Sequence, residues 1–142
     1  TFEFNPVLAE KKLRWDLRLT PDIRITCDPD KLERVFDNLL RNSINYSYPD
    51  TAILVSMKQS DEHVTVYVEN HGRTIPPEKL SHIFEQFFRL DASRSSATGG
   101  AGLGLAIAKE IVELHGGTIF AESADERIAF SVTLPMDCQK IV

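Results

Sequence analysis

The chain has 142 residues, a formal net charge of −5 and 42% hydrophobic residues. This length allows one domain with its own core, and the negative charge argues against non-specific nucleic-acid binding as a main role. Apolar runs stay shorter than the roughly 18 residues of a membrane span, and no signal-peptide pattern opens the sequence. Cys27 and Cys138 are isolated in the sequence and are expected to be reduced thiols of a cytosolic domain.

The first part of the sequence predicts a short helix, two short strands and a long helix. The short helix opens at Asn5-Pro6 and ends near Lys12, and the polarity of Arg14–Leu19 and Arg24–Cys27 alternates as it does in strands. Asp28 is the expected N-cap of the long helix. The apolar residues of that helix share helical spacing and form one stripe: Leu32, Val35, Phe36, Leu39, Leu40 and Ile44.

The middle of the sequence predicts two strands, two short helical segments and a loop. The strands are Ala52–Lys58 and His63–Glu69, and alternating polarity indicates that the second has one buried face. The helical segments are Pro77–Leu80 and Ile83–Arg89. The polar, serine-rich segment from Leu90 to Thr98 has no periodicity and is predicted to be a mobile loop.

The last part predicts a helix and a β-hairpin. The helix covers Gly102 to His115, and the following Gly116-Gly117 pair is typical of a helix C-terminus. The hairpin joins Thr118–Glu122 to Ile128–Leu134. The whole pattern predicts a single domain over residues 1–142 with an α+β two-layer sandwich: a mixed, largely antiparallel sheet of about five strands with three main helices on one face.

Four glycines fall within six positions, from Gly99 to Gly104, directly before the last predicted helix. Glycine permits close approach of the backbone to a phosphate, and a helix N-terminus attracts anions, so this segment predicts a phosphate cradle. The Walker A pattern is absent, and the spacing differs from the dinucleotide fingerprint, which directly follows a strand. The H-R-D catalytic loop of protein kinases is also absent.

Asn38, Asn42 and Asn45 share one face of the long helix. Asparagine is a poor helix former, whereas its amide oxygen suits a Mg²⁺ ion whose anionic ligands are phosphates. A solvated polar face explains the same pattern equally well.

Asn70 and Gly72 lie at a predicted strand end, where an amide oxygen can accept a hydrogen bond from the exocyclic amine of a base. In isolation a plain turn explains them better. Arg89 follows an apolar segment and suits a phosphate, although a surface arginine is the simpler interpretation. The occurrence of all these features in one small domain favours a joint functional interpretation.

Together these segments resemble the ATP-binding catalytic domain of sensor histidine kinases, within the superfamily of gyrase, Hsp90, histidine kinase and MutL ATPases. Residues 38–47 resemble the N box, residues 70–76 the first glycine box and residues 83–89 the F box. Residues 100–105 resemble the second glycine box, and His115-Gly116-Gly117 resembles the usual end of the helix behind it. The sequence around Arg89–Ser96 is similar to vancomycin-resistance-type sensor kinases.

The resemblance implies ATP and Mg²⁺ as cofactors. Asn42 would ligate Mg²⁺ with Asn38 close to it, Asn70 would accept the adenine amine, and Arg89 would meet the terminal phosphates; Asn42 and Arg89 are therefore the implied catalytic residues. The glycines of the second glycine box would let a lid close over the triphosphate. The residues implied to contact ATP are Asn38, Asn42, Asn45, Tyr46, Asn70, Gly72, Ile75, Arg89, Gly100, Gly102, Leu103, Gly104 and Leu105.

Three positions depart from the family pattern. Asn70 stands where the family usually has Asp, Thr74 where the first glycine box has its second Gly, and Asn45 where many members have a basic residue. The change at position 70 replaces a charge-assisted hydrogen bond by a neutral one of about half the strength. We therefore expect weakened ATP binding.

The resemblance implies transfer of the ATP γ-phosphoryl group to a histidine on a separate helical dimerisation domain, and then to a response regulator. None of the four histidines has the sequence context of the acceptor. We therefore expect an excised, monomeric domain of a longer sensor, cytoplasmic itself but anchored in the cell membrane through other segments. Two alternatives are a degenerate nucleotide-sensing or partner-binding module, which the departures favour slightly, and a serine kinase that inhibits a sigma factor.

Overall fold

The computed structural model describes residues 9–10, 12–19, 28–86 and 104–136. In that part of the chain five strands and three helices follow one another. They are β1 (Arg14–Arg18), α1 (Pro29–Asn45), β2 (Ala52–Gln59), β3 (His63–His71), α2 (Pro77–Leu80), α3 (Gly104–Leu114), β4 (Thr118–Ala124) and β5 (Arg127–Pro135). The predicted strand Arg24–Cys27 and most of the predicted first helix lie outside the described residues.

The strands form one mixed sheet in the order β1-β2-β3-β5-β4. β1 pairs with β2 in parallel, while the pairs β2–β3, β3–β5 and β4–β5 are antiparallel. The parallel pair requires a crossover, and α1 lies in that connection. The predicted fold class, a largely antiparallel sheet with helices, is confirmed.

The core lies between the helices and one face of the sheet. β5 alternates strictly, with Ile128, Phe130, Val132 and Leu134 buried and their neighbours less so. These side chains pack in one cluster with apolar residues of α1 and α3. Each fully buried aliphatic side chain of this kind contributes about 1.5–3 kcal/mol to the free energy of folding.

A second, smaller cluster lies beneath β1 and the last turns of α1. Its buried members are Leu13, Ile44, Ile53 and Val68, and Trp15 packs against it. Ile44 belongs to α1 and Ile53 to β2. The second cluster therefore joins the C-terminal end of α1 to the β1–β2 side of the sheet.

The ends of α1 and α3 follow the local sequence signals. The Asp28 carboxylate caps α1 by accepting hydrogen bonds from the backbone N–H groups of Asp30 at 3.1 Å and Lys31 at 3.2 Å. Behind α3, Gly116 has φ +78°, and the Gly117 N–H donates to the Val112 carbonyl oxygen at 2.9 Å. This is the Schellman arrangement that the glycine pair predicts.

The predicted helical segment Ile83–Arg89 is wrong for its described part, since residues 81–86 form successive turns. Ile83 is buried, and its neighbour Phe84 packs edge-on against Phe130, with ring centroids 6.2 Å apart. Adjacent residues of an α-helix point about 100° apart. Turns instead let both side chains reach the core.

Four strands, β2 to β5, extend beyond their predicted ends because pairing continues. β3 runs two residues further than predicted, since Asn70 pairs with Ile128 and His71 with Arg127.

At the tip of the β4–β5 hairpin, Asp125 and Glu126 have φ 52° and 61°. Positive φ at both central residues is typical of a type I′ turn.

Candidate nucleotide site

Asn70 lies on the helix-facing side of the sheet, at the end of β3. It follows the buried Val64 and Val68 in the alternation of that strand and is 1% exposed. Neither Oδ1 nor Nδ2 of its amide has a hydrogen-bond partner among the described residues. A buried polar group without a partner costs about 1–3 kcal/mol. A ligand that pairs with this amide would remove that cost.

Asn38 of α1 lies beside the N-terminus of α3. A Cβ placed on Gly104, the first residue of α3, would lie 3.4 Å from Asn38 Oδ1. The Asn38 Nδ2 group is buried and has no hydrogen-bond partner within the described segments. The structure thus brings the N box and the start of the α3 helix into contact.

The other two asparagines of α1 complete the predicted stripe. Asn42 and Asn45 are half-buried, one and two turns beyond Asn38 on the same helix face. The buried side of α1 is instead formed by Leu32, Val35, Leu39, Ser43 and Ile44. The predicted separation of an amide face from an apolar face is confirmed.

Gly72 connects the loops that follow α1 and β3. A Cβ on Gly72 would lie 2.0 Å from the carbonyl oxygen of Tyr46 and 3.2 Å from Asn70 Nδ2. The neighbouring Tyr48 N–H donates to the carbonyl oxygen of His71 at 2.8 Å. The approach of the Tyr46 backbone thus gives a reason for glycine here that is separate from the predicted accommodation of a base.

The loop after Gly72 is fastened to the tip of the β4–β5 hairpin. The Gly72 N–H donates to the Glu126 carbonyl oxygen at 3.0 Å, and the Glu126 N–H donates to Thr74 Oγ1 at 2.8 Å. The Ile75 N–H donates to Ser123 Oγ at 2.8 Å, and that hydroxyl donates to the Arg127 carbonyl oxygen. Thr74 and Ser123 anchor this loop, and no local sequence pattern marks them for that role.

Three further predicted contact residues form the apolar border of the same region. Ile75 is 4% exposed and belongs to the main core cluster. Tyr46 and Leu105 are partly buried and pack against that cluster. The cluster therefore fixes the segments that adjoin the amide groups: the end of α1, the loop after β3 and the start of α3.

A tyrosine–carboxylate pair lies beside the anchored loop. Tyr48 donates its hydroxyl hydrogen to Glu126 Oε1 at 3.3 Å. Partial burial, followed by the charge of Glu126 and this hydrogen bond, raises the pKa of the Tyr48 phenol, and Arg73 acts in the opposite direction. The phenol therefore keeps its proton and remains a hydrogen-bond donor to Glu126.

His115 connects the end of α3 to the beginning of α1. It is 2% exposed. Its Nδ1 lies 2.8 Å from the Ile111 carbonyl oxygen, and its Nε2 accepts a hydrogen bond from the Asp28 N–H at 3.3 Å. These partners match the tautomer with the proton on Nδ1. Its position in the His-Gly-Gly ending is the sequence signal that could have marked it.

Part of the predicted site falls outside the described residues: Arg89, Gly100, Gly102 and Leu103. Gly104 and Leu105 are described and open α3. The position of Gly104 beside Asn38 brings the end of residues 100–105 next to the asparagine face of α1.

The donor set suits Mg²⁺ in the presence of phosphates. Over the described residues, the structure contains no group of three or more His, Cys, Asp or Glu side chains able to hold a metal ion. On the asparagine face of α1 the oxygen donors of Asn38, Asn42 and Asn45 are neutral amides, and Mg²⁺ is commonly held by few protein ligands together with substrate phosphates. The residues present therefore fit a metal that arrives with a nucleotide.

The described helices include none that is long and apolar enough to cross a membrane.

Comparison with known proteins identifies the family. The profile of histidine kinase-, DNA gyrase B-, and HSP90-like ATPases matches residues 27–137. The chain belongs to this ATPase family. The nucleotide-free catalytic domain of histidine kinase ThkA superimposes on this ATPase domain with a TM-score of 0.84 and 27% identity, over 96% of this chain and 88% of that one. ThkA has also been solved in complex with response regulator protein TrrA, with a TM-score of 0.79 and 26% identity over 96% of this chain and 38% of that one.

Curated relatives narrow the family to sensor kinases. The ATPase domain is 53% identical to sensor protein VanSC of Enterococcus gallinarum over 135 residues, which cover 95% of this chain and 37% of the relative. It is 47% identical to sensor protein VanS of Enterococcus faecium over 135 residues, covering 95% and 35%. The domain is thus the ATP-binding catalytic domain of a sensor histidine kinase, as the boxes indicated, and it spans about a third of the length of these relatives.

Proposed function

We propose that this domain binds Mg²⁺·ATP and transfers the γ-phosphoryl group to a histidine on a helical dimerisation domain of the same longer protein. The imidazole nitrogen of the acceptor attacks the γ-phosphorus, and ADP leaves. A response regulator then receives the group, as the solved complex of the related ThkA with TrrA suggests. The observation that carries the proposal is the buried Asn70 amide, whose Oδ1 and Nδ2 have no partner within the described part of the chain.

Binding and orientation are the tasks of the described residues. Asn70 accepts a hydrogen bond from the adenine amine, and the anchored loop from Gly72 to Ile75 holds the base in place. Asn42, with Asn38 beside it, holds Mg²⁺ through amide oxygens. When bound, Mg²⁺ neutralises charge on the phosphate oxygens.

The phosphates lie towards the start of α3 in this proposal. The N–H groups at the start of α3, at Gly104, stabilise negative charge there. The resemblance implies that Arg89 contacts the γ-phosphate. It also implies that a lid formed by Leu90 to Gly102 excludes water from the site. The acceptor nitrogen and its activating group lie outside this chain, so the domain needs no general base of its own.

The surrounding protein is part of the same proposal. The length of the relatives supports a longer sensor in which other segments supply the acceptor domain and the membrane anchor. The similarity to VanSC and VanS favours a role in a response to vancomycin-type antibiotics.

The experiment mixes the 142-residue chain with a supplied helical acceptor domain and ATP labelled at the γ-phosphate in the presence of Mg²⁺. We expect labelled histidine on the acceptor and at least a roughly hundredfold loss of transfer rate in Asn42→Ala. Lys58→Ala, an exposed change on β2, is the control and should keep the wild-type rate. Unchanged transfer by Asn42→Ala would show that the Mg²⁺ assignment is wrong. Nucleotide binding without any transfer would favour the sensing module, and labelled serine would favour the anti-sigma kinase.

A further inference from the structure

The amide of Asn70 offers both a hydrogen-bond donor and an acceptor inside the proposed base pocket. Its side chain is 1% exposed, and both polar atoms lack a partner among the residues that the structure describes. An ionised aspartate at the same place offers acceptors alone. Position 70 therefore differs in hydrogen-bonding pattern, as well as in charge, from the carboxylate that the family usually carries.

The described surroundings of the Asn70 amide do not fix its orientation. Val68 precedes it on the same face of β3, and its cross-strand partner is the apolar Ile128. The nearest described glycine, Gly72, has no side chain that could hydrogen-bond to it, and a Cβ there would lie 3.2 Å from Nδ2. Rotation of the amide by 180° therefore breaks no hydrogen bond to the described residues.

Purine bases present complementary edges at the 6-position. Adenine has a donating amine at C6 beside an acceptor nitrogen, whereas a 6-oxopurine has an acceptor oxygen beside a donor N–H. An asparagine pairs with the first pattern through Oδ1 and Nδ2, and with the second after the amide is turned over. A carboxylate placed to accept from the adenine amine faces the 6-oxo oxygen of an oxopurine in the same pose, and it has no hydrogen to donate to that oxygen.

We propose that Asn70 lets this domain bind nucleoside triphosphates with a 6-oxopurine base as well as ATP. The inference rests on the proposed function, because it concerns the base of the same nucleotide. It makes Asn70 a specificity-determining residue whose role is to admit both purine patterns. The departure from aspartate then broadens the substrate class in addition to weakening the bond to adenine.

The test measures binding by calorimetry, with Mg²⁺ and the non-hydrolysable imido analogues of ATP and ITP. Inosine is chosen because it carries the 6-oxo group without the extra amine of guanine. For the wild-type chain we expect the two dissociation constants to agree within about tenfold, which corresponds to 1.4 kcal/mol. For Asn70→Asp we expect the inosine analogue to bind at least roughly a hundredfold more weakly than the adenosine analogue, because a buried carboxylate then faces the 6-oxo oxygen.

Each outcome decides the inference. The inference is overturned if the wild-type chain binds the adenosine analogue more than about a hundredfold more tightly than the inosine analogue. That result leaves the proposed function intact. An Asn70→Asp chain that folds, by circular dichroism, and keeps the wild-type ratio overturns the inference as well. A wild-type chain that binds neither analogue overturns both proposals. The wild-type ratio alone decides the matter if Asn70→Asp fails to fold.

Discussion

At the scale of single residues, backbone approach and unpaired amides define the site. Position 72 requires glycine because the Tyr46 carbonyl oxygen occupies the space that any side chain would need. Asn70 and Asn38, by contrast, bury amide atoms that have no partner in the described ranges. The first feature restricts position 72 to glycine, whereas the second lowers the stability of the domain without ligand and leaves groups available for binding.

Gly72→Ala should lower the free energy of unfolding by about 3 kcal/mol, because the new methyl group would lie 2.0 Å from the Tyr46 carbonyl oxygen and one of the two loops must move. Gly104→Ala is the matched control. Its Cβ would meet Asn38 at an ordinary contact distance of 3.4 Å, and the free energy should change by less than about 1 kcal/mol. Urea unfolding followed by circular dichroism measures both. Equal losses in the two variants would contradict the steric explanation.

At the scale of elements, α1 and α3 pack together through the core and also meet at both ends of α3. Asn38 meets the first residue of α3, and His115, just beyond the last residue of α3, binds the backbone of the Asp28 cap. The first contact lies at the proposed phosphate side and the second at the opposite end of α3. The two helices therefore keep a fixed relative position.

His115→Leu should lower the free energy of unfolding by about 2 kcal/mol, because the Asp28 N–H loses its acceptor in a partly buried place. Glu113→Gln, an exposed change in the same turn, should cost less than about 0.5 kcal/mol. Thermal and urea unfolding of both variants supply the values. A stability of His115→Leu equal to that of the wild type would mean that the contact with Asp28 does not hold α1.

The elements that local signals specify were predicted well. The cap at Asp28 and the apolar stripe of α1 depend on residues within one helix, and the structure confirms both. The turns at residues 81–86 depend on packing against Phe130, which no local periodicity reveals. The longer β3 likewise depends on pairing of His71 with Arg127.

The same distinction applies to the candidate site. Asparagine spacing and glycine boxes nominated Asn38, Asn70, Gly72 and Gly104 from local sequence. The anchors of the site were missed because their partners lie far along the chain: 52 residues separate Thr74 from Glu126, 48 separate Ile75 from Ser123, and 87 separate His115 from Asp28. Hydrogen bonds across such separations are set by the sheet order and by the packing of α1 against α3, which composition and periodicity do not reveal.

At the scale of the whole molecule, the sheet order sets which parts are most protected. β3 lies at the centre, with antiparallel partners on both sides. β4 has one partner, β5, among the described strands, and its Phe120 is 62% exposed. Opening of the structure should therefore begin at β4 before it reaches β3.

Amide hydrogen exchange should follow that order. Amides of β4 that point away from β5 are expected to exchange at least roughly a hundredfold faster than those of Val66 and Val132, because they face no other described strand, whereas the central amides exchange only after the sheet opens. Exchange followed by NMR gives each rate within one experiment, and the amides of β3 serve as the internal reference. Equal protection of β4 and β3 would show that another segment covers this edge.

The second cluster gives the molecule a built-in optical reporter. Trp15 is the one tryptophan of the sequence, and it packs against the cluster that contains Ile44 of the asparagine-bearing helix. Indole emission responds to the polarity and packing around the ring. A shift of α1 when the amides of Asn38 and Asn42 engage a ligand would therefore change the fluorescence of Trp15, so that binding can be followed without attaching a dye.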